Sequence, residues 1–255
     1  MSASAEAWWN CLPLGTGVQV LGHDANGLGA LDKPAGVLSH PNQDRERGRT
    51  LLDAPYDLAA ECFTWTDAGG AARRLWLLNR LDSATSGVIL VAAEGALAAG
   101  VKEQFQKKAV SKTYVALVFG QPRAPQEVWR DRLAVARKGG VVRATAAGGH
   151  IPAESACRVL RRFPGPPPLA LLELTPHTGR THQLRVQCAQ RSLPIVGDQT
   201  YGDFRRNRGF AKAAHTKRLF LHSLNTEVRY AWAGREWRFA ARAPLPPEFA
   251  AVAGS

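Results

Sequence analysis

The sequence predicts an α+β fold, and three observations support this. Short apolar strand patterns recur along most of the 255 residues, whereas only two stretches have helical spacing. Strands and helices do not alternate regularly, as they would in a parallel βαβ array. A proline-rich segment, 163–168, forbids a helix or a central strand and indicates a rigid turn between two strands.

The first half of the chain is predicted to contain mostly strands. A turn is expected at 23–27 (HDANG) and a polar loop at 42–49 (NQDRERGR). Each predicted strand is a short run of apolar residues bounded by turn residues. In chain order these strands are 18–21, 28–32, 75–78 and 88–91.

The second half adds the two predicted helices. The first covers 95–109, with Leu97, Val101 and Phe105 at spacings of four, and the second covers 180–191. Strands are expected at 112–119 and 169–174. Between 121 and 168 the pattern predicts only weak strands among turns.

Charge and composition favour a nucleic-acid partner. The formal net charge is +12, and 25 of the 33 basic residues are arginine, whose planar guanidinium fits phosphate and stacks on bases. The alternative explanation is a GC-rich genome, which favours arginine and alanine codons whatever the protein does.

The four cysteines are widely spaced, which predicts buried free thiols in a reducing cytoplasm. We expect no signal peptide and no membrane association, because no apolar run approaches 18 residues.

A polar turn at 79–87 (NRLDSATSG) interrupts two apolar strands. Asp82 precedes hydroxyl residues, and an Asx-turn or helix cap is the ordinary use of such an aspartate. We expect Ser83, Thr85 and Ser86 to fix this turn and Gly87 to permit it. A second polar cluster at 178–185 (TGRTHQLR) puts Arg180 at a predicted helix start. If Arg180 pairs with Asp82, the carboxylate stays ionised, as a nucleophile or base requires; a surface position is the alternative for Arg180.

Other candidate residues have both structural and functional interpretations. Tyr114 lies in an alternating strand, where it either packs in the core or stacks on an extruded base. Lys33 either contacts phosphate or supports the turn at Pro34. His177 and His182 lack a neighbouring carboxylate in the sequence, so we expect structural hydrogen bonds and no metal.

Five segments together resemble the motifs of the RluA-type RNA pseudouridine synthase family. They occur in the family's order and with its approximate spacing between residues 31 and 223, and the five together are very specific. The segments are LDKPAGVLSHP (31–41), NRLDSATSGVILVA (79–92), SKTYVALVFG (111–120), TGRTHQLRVQ with LPIVGDQTYG (178–202), and RLFLHS (218–223).

The resemblance implies the pseudouridine synthase fold, a mixed, mainly antiparallel sheet with flanking helices and a central active-site cleft. It makes Asp82 the catalytic residue, Tyr114 a contact to the target base and Arg180 the partner of Asp82. Arg80 would enter the RNA and help to displace the target nucleotide. This sequence has Asn79 where most relatives have histidine, which implies a change in local support or RNA contact. Its LHS ending also differs slightly from the usual LHA.

The implied reaction breaks the N-glycosidic bond of a uridine and rejoins the uracil to ribose through carbon 5. Asp82 would either attack carbon 1′ or remove the proton at carbon 2′, and the sequence leaves both routes open. No cofactor is expected. We expect basic residues of two segments to contact RNA phosphates: Arg45, Arg47, Arg49, Arg205, Arg206, Arg208 and Lys212.

We therefore expect one catalytic domain over 1–255, without a separate N-terminal S4 RNA-binding domain, because about thirty residues precede the first motif. The predicted partner is an rRNA or tRNA stem-loop and not DNA, and the protein is expected to be a cytoplasmic monomer. One alternative is a non-catalytic RNA-binding or ribosome-assembly protein. Another is a glycosidic hydrolase, which would need a second carboxylate. The acidic residues considered for that role are Glu173 and Asp198, and Asp198 is expected to cap a turn.

Overall fold

A computed structural model describes residues 8–41, 44–138, 141–145 and 149–253. These residues form two compact units, each made from separate parts of the chain. The first unit comprises 1–111 and 223–244, and the second comprises 112–222 and 245–255, in both cases for the residues described.

The described residues of the first unit include the helix α1 (Gly95–Gln106) and an antiparallel sheet. Its central strand is β6, in which every residue is buried because both faces of the sheet are covered. β6 pairs with β2 along its length and with β5 at one end. The elements, in chain order, are β1 (Gln19–His23), β2 (Leu28–Lys33), β3 (Tyr56–Asp57), β4 (Cys62–Thr66), β5 (Ala72–Leu77), β6 (Ser86–Ala92), α1 (Gly95–Gln106), most of β12 (Leu221–Trp232) and β13 (Arg235–Arg242).

The core of the first unit lies between this sheet and α1. Leu97, Ala98 and Val101 form the buried face of the helix, as the four-residue spacing predicts. They belong to the same apolar cluster as Val88 and Leu90 of β6. The packing holds β6 in place, and with it the turn that precedes the strand.

The second unit contains an antiparallel sheet in the order β7–β11–β10–β8–β9. The inner strands alternate between buried and partly exposed residues, as expected for a sheet with two different faces. The elements are β7 (Ser111–Phe119), β8 (Gln126–Lys138), β9 (Val141–Thr145), β10 (Ile151–Phe163), β11 (Leu169–Pro176), α2 (Gln183–Gln190), α3 (Phe204–Ala214) and α4 (Pro247–Ala253).

The predicted α+β class and the predicted strands are confirmed, but several local predictions are wrong. The first helix ends at Gln106 and not at 109. The loop at 42–49 contains a 3-10 helix, Asp44–Arg49. The segment 121–168 forms long strands, because β8 and β10 pair with each other over eight residues in spite of weak local patterns. The second helix begins at Gln183 and not at 180. Cys11 is exposed, whereas the other three thiols are buried as expected.

Candidate active site

The turn that carries Asp82 joins two strands of the first unit. β5 ends at Leu77, β6 begins at Ser86, and the chain between them has no regular structure. The N–H of Thr85 donates to the carbonyl of Asp82 at 3.0 Å. Asp82 is half-buried and Arg80 is exposed, so both predicted residues lie on one tight, partly accessible loop.

Lys33, at the end of β2, is one support of this turn. Its side chain is fully buried, and a buried ammonium ion is costly unless its donors are paired. The Nζ atom donates to the carbonyls of Pro34 at 3.0 Å, Val37 at 2.6 Å and Ser83 at 2.9 Å. Of the two interpretations of Lys33, its burial and these three bonds favour turn support.

Ser39 and Gly36 provide two further supports. The Ser39 hydroxyl donates to the carbonyl of Leu81 at 2.9 Å and accepts from the N–H of Leu81 at 3.1 Å. The N–H of Gly36 donates to the carbonyl of Ser83 at 2.7 Å. Hydrogen bonds therefore hold the main chain on both sides of Asp82, and they come from the 31–41 motif.

Gly87 allows β6 to begin immediately after the turn. Its φ is +111°, a backbone conformation that L side chains rarely adopt. A Cβ atom at this position would lie 2.1 Å from the carbonyl oxygen of Ser223 on β12. Only glycine fits here without displacing the backbone, so Gly87 permits the turn, as expected. Its close approach to Ser223 also brings the start of β6 against the closing motif at 218–223.

Asn79 supports the first part of the turn. Its Oδ1 atom accepts the N–H of Leu90 on β6 at 2.8 Å. This bond ties the chain after β5 to the neighbouring strand. Asn79 therefore supports the turn locally, which is one of the two roles expected for this position.

The positive charge of Arg80 acts on neighbouring groups of the same unit. Burial raises the pKa of Tyr56 well above its ordinary value, and the charge of Arg80 opposes this rise. The pKa of Glu61 is lowered, above all by a 2.6 Å hydrogen bond from Lys102, with a smaller contribution from Arg80. The guanidinium group therefore lies beside an aromatic and acidic surface while it remains exposed.

Tyr114 lies in the second unit, on β7, and is half-buried. It pairs with Leu174 of β11. Lys112, two residues earlier, shares a face of the strand with Tyr114, and a Cβ atom on Gly179 would lie 3.5 Å from its Nζ atom. Burial lowers the pKa of Lys112. Sequence reasoning did not select Lys112, although it lies in the same motif as Tyr114.

Arg180 is exposed in the turn between β11 and α2. Its Nε atom donates to the carbonyl of Pro152 at 3.3 Å. Its main-chain N–H donates to the side-chain oxygen of Gln183 at 3.0 Å. Because Gln183 takes up this N–H and His182 has a φ of +53°, the chain does not become helical until Gln183.

The buried side chain of Gln183 is the centre of this turn. Its oxygen also accepts from the Thr178 hydroxyl at 2.7 Å. Its amide donates to the carbonyl of Glu154 at 3.0 Å and to the Ser155 hydroxyl at 2.9 Å. Gln183 thus uses every donor and acceptor that it has to fix the main chain at Arg180.

Arg185 and Asp198 form a buried ion pair behind this turn. Two guanidinium nitrogens donate to the two carboxylate oxygens, each at 2.8 Å. Burial alone would raise the pKa of Asp198, but the hydrogen bonds and charge of Arg185 outweigh it and lower the pKa. Asp198 also accepts from the N–H groups of Thr200 and Tyr201, which confirms that it caps a turn.

The two histidines of the 177–182 segment make hydrogen bonds. Nδ1 of His177 lies 3.0 Å from a carboxylate oxygen of Glu154, and Nδ1 of His182 lies 2.9 Å from the hydroxyl of Tyr201. That hydroxyl also accepts the N–H of Ala144 at 2.8 Å. Among the residues that the structure describes, no group of three or more potential ligands could hold a metal ion.

The predicted RNA-binding residues lie in both units. Arg49 is exposed at the end of the 3-10 helix, whereas the side chains of Arg45 and Arg47 lie outside the described part of the structure. The remaining four are all exposed on α3: Arg205, Arg206, Arg208 and Lys212.

The family model for RNA pseudouridylate synthase matches residues 28–190. The chain belongs to this family. It is 32% identical over 225 residues to the ribosomal large subunit pseudouridine synthase C of Vibrio vulnificus, a match that covers 88% of this chain and 65% of that protein. It is also 32% identical over 210 residues to the tRNA pseudouridine synthase C of Haemophilus influenzae, covering 77% and 81%.

The RNA pseudouridylate synthase fold is also found among solved structures. Human RNA pseudouridylate synthase domain containing 4 is similar with a TM-score of 0.66 and 24% identity, over 97% of this chain and 94% of that one. The chain spans about half to two thirds of the length of the first relatives that it matches, at 65%, 49% and 53%.

None of the described helices is long and apolar enough to cross a membrane.

Proposed function

We propose that this protein isomerises uridine to pseudouridine in a structured rRNA or tRNA, with Asp82 as the catalytic residue. The observation that carries the proposal is the position of Asp82 in the family motif, on a turn whose main chain is held on both sides. A carboxylate on such a turn is presented in a fixed orientation, which catalysis at a sugar carbon requires. Similarity to a ribosomal large subunit pseudouridine synthase C and to a tRNA pseudouridine synthase C supports the substrate class.

In the proposed reaction, the ionised carboxylate of Asp82 either attacks carbon 1′ of the ribose or removes the proton at carbon 2′. The bond from carbon 1′ to N1 of uracil breaks, and N1 accepts a proton. The uracil turns and a bond forms between carbon 5 and carbon 1′; in the first route this displaces the Asp82 carboxylate from carbon 1′, and in the second the proton returns to carbon 2′. Carbon 5 then loses its hydrogen as a proton, which balances the proton gained by N1. Water must stay excluded while the base is detached, since hydrolysis would release it.

The roles of the other residues belong to the same proposal. Arg180 pairs with Asp82 and keeps it ionised, and Tyr114 contacts the target uracil. Arg80 enters the RNA when the uridine leaves its stack, a step that costs a few kcal/mol. The exposure of Arg80 and its separation from Asp82 by a single residue support this assignment.

We also propose that both units form one catalytic domain, since the family match over 28–190 includes parts of each. We expect a monomer in the cytoplasm, where rRNA and tRNA are found. Size-exclusion chromatography with light scattering would measure the number of chains.

The glycosidic hydrolase is the weaker alternative. Of the acidic residues considered for its second carboxylate, Glu173 is paired with Arg158 at 2.8 Å and Asp198 with Arg185. A non-catalytic RNA-binding or ribosome-assembly protein is the remaining alternative, and the presence of Asp82, Tyr114 and Arg180 argues against it.

The experiment that tests the proposal is pseudouridine mapping of total RNA by carbodiimide-adduct primer extension. Cells would carry the intact gene, a deletion, or Asp82→Asn. We expect one or more sites to disappear in both altered strains, which would also identify the RNA. A site that is lost on deletion and retained with Asp82→Asn would exclude Asp82 from catalysis. No change at any site would favour the non-catalytic alternative.

A further inference from the structure

The second unit contains a concavity of about 570 Å³ beside α3. This volume lies within the range of about 300–1,000 Å³ that is usual for ligand sites. Four of the side chains that line it are positively charged, Arg208, Lys212, Lys217 and Arg218, and no lining residue is a carboxylate. An anionic ligand would therefore be favoured.

Most of this positive charge is not neutralised by the protein. Arg218 donates to Glu248 at 3.1 Å. Within the part of the chain that the structure describes, no carboxylate forms an ion pair with Arg208, Lys212 or Lys217. These three side chains are exposed, so phosphate groups could reach them.

Phe204 adds an exposed aromatic ring to the wall of the concavity. Its residue is 53% exposed, which is unusual for a phenylalanine in the first turn of a well-packed helix. Phe204, Arg208 and Ala211 follow one another at helical spacing, so they lie on one face of α3. The ring is therefore on the same face as one of the positive charges.

The side of α3 that carries Asn207 and Phe210, which also line the concavity, is firmly anchored. Asn207 is buried, accepts the N–H of Gly197 at 2.8 Å and donates to the carbonyl of Asp198 at 2.9 Å. The ring of Phe210 packs against Phe220 with centroids 5.4 Å apart. Because these contacts fix the helix, the exposed ring of Phe204 is not needed to hold it.

The concavity is separate from Tyr114 within this unit. Phe119, at the far end of β7, contacts Phe210 at a centroid distance of 6.2 Å. Five residues of extended strand separate Phe119 from Tyr114, a distance of about 17 Å. A ligand beside α3 would therefore occupy different residues from a uracil at Tyr114.

We propose that this concavity binds an unpaired nucleotide of the RNA substrate at a distance from the target uridine. The base stacks on Phe204, and the neighbouring phosphates contact Lys212 and Lys217. Aromatic rings beside a positively charged groove are the combination by which proteins hold single-stranded nucleic acid. An acidic peptide or a duplex backbone would use the charges but would gain little from the ring. The inference rests on the proposed function, since it assumes an RNA substrate.

Four variants of the full chain test the inference: Phe204→Ala, Phe204→Trp, Lys212→Gln with Lys217→Gln, and, as a matched control, Lys107→Gln with Lys108→Gln. The control removes the same charge from exposed lysines of the first unit. Binding would be measured by fluorescence anisotropy with a labelled 12-nucleotide oligouridylate, a 12-base-pair RNA duplex and unlabelled polyglutamate as competitor.

We expect Phe204→Ala to weaken binding of the single strand about tenfold and to leave duplex binding unchanged, because stacking needs an unpaired base. Phe204→Trp should restore the affinity. The Lys212 and Lys217 double variant should reduce the slope of log affinity against log salt by about 1.4, since two phosphate contacts are lost. The control should change the slope less.

Three results would overturn the inference. They are an unchanged Kd in Phe204→Ala, a loss of affinity in the control equal to that of the Lys212 and Lys217 variant, and competition by polyglutamate as strong as that by RNA. Pseudouridine formation in the same preparations separates the two proposals. Unchanged RNA binding in every variant, with normal pseudouridine formation, would refute only the concavity. A wild-type protein that binds RNA as expected and forms no pseudouridine would refute only the proposed function.

Discussion

The turn around Asp82 and the turn around Arg180 are held in place by different kinds of interaction. At Asp82 the supports are hydrogen bonds to main-chain groups, made chiefly by the buried Lys33 and by Ser39. At Arg180 they are networks among buried side chains, with Gln183 at the centre and the Arg185–Asp198 pair behind. The first arrangement is local to two loops, whereas the second is part of the core of its unit.

Because of this difference, we expect the supports of the first turn to affect activity and the network of the second turn to affect stability. Loss of a support at the first turn should displace Asp82 while most of the core around β6 stays intact. Loss of a partner in the second network leaves a buried charge unpaired, which penalises the whole unit. Substitutions that remove the hydrogen-bond supports of the first turn should therefore act mainly on catalysis, and those in the second network mainly on folding.

The largest effect on stability is expected from Arg185→Met. It leaves the carboxylate of Asp198 buried without its partner, at a cost of about 3–5 kcal/mol in the free energy of unfolding. Chemical denaturation at pH 7 would measure the loss, and adding Asp198→Asn should recover part of it. A loss below about 1 kcal/mol, the usual contribution of an exposed pair, would show that the network does not support the fold.

The pH dependence of this pair has a defined sign. The pKa of Asp198 is lower in the folded protein than its ordinary value of 3.8. The stability that the ionised carboxylate contributes is therefore complete above that value, and it is lost as the pH falls towards the folded pKa. Unfolding curves between pH 5 and about pH 3 should show a steeper acid destabilisation for the wild type than for the double variant.

Gly87→Ala should destabilise the first unit by about 3 kcal/mol, because it combines backbone strain with a steric clash. Its Cβ atom would lie 2.1 Å from the Ser223 carbonyl. Gly36→Ala is a matched control, since Gly36 also has a positive φ of +89° but no atom within 4 Å of the added Cβ. Equal losses in the two variants would mean that the close approach to Ser223 is unimportant.

Lys33→Met should reduce stability by about 2 kcal/mol and reduce pseudouridine formation far more than that change explains. It removes three hydrogen bonds from a charged donor, each of which contributes about 1.5–3 kcal/mol before the apolar replacement offsets part of the loss. Activity would be measured below the temperature at which unfolding begins. Wild-type activity in a folded Lys33→Met protein would contradict the role given to this lysine.

The smallest effect is expected from Ser223→Ala. The hydroxyl of Ser223 is buried and has no hydrogen-bond partner among the residues that the structure describes, so its removal should leave stability unchanged or raise it by up to about 1 kcal/mol. Alanine is also the residue that the family's closing motif usually has. Thermal unfolding would detect the change, and a clear loss of stability would reveal a contact of the hydroxyl that the structure lacks.

The sequence predicted elements with clear apolar patterns and missed others, among them β12 and β13, which pair with each other in a hairpin. β2, β6, β7 and α1 have clear apolar periodicity and were found. β8 and β10 look weak in isolation because long-range pairing, not local preference, stabilises them. The candidate catalytic turn was found from its motif, but the supporting role of Lys33 was left open, since nothing in the sequence indicates that its Nζ atom meets the carbonyl of Ser83, fifty residues away.

The most direct test of the central claim is tritium release from RNA labelled with [5-³H]uridine and isolated from cells that lack the gene. Each pseudouridine formed releases the hydrogen of carbon 5, so the purified wild-type protein should release tritium steadily. Asp82→Asn should reduce the rate by at least about a thousandfold, with an unfolding free energy within about 0.5 kcal/mol of the wild type. A folded Asp82→Asn protein that releases tritium at the wild-type rate would contradict the account.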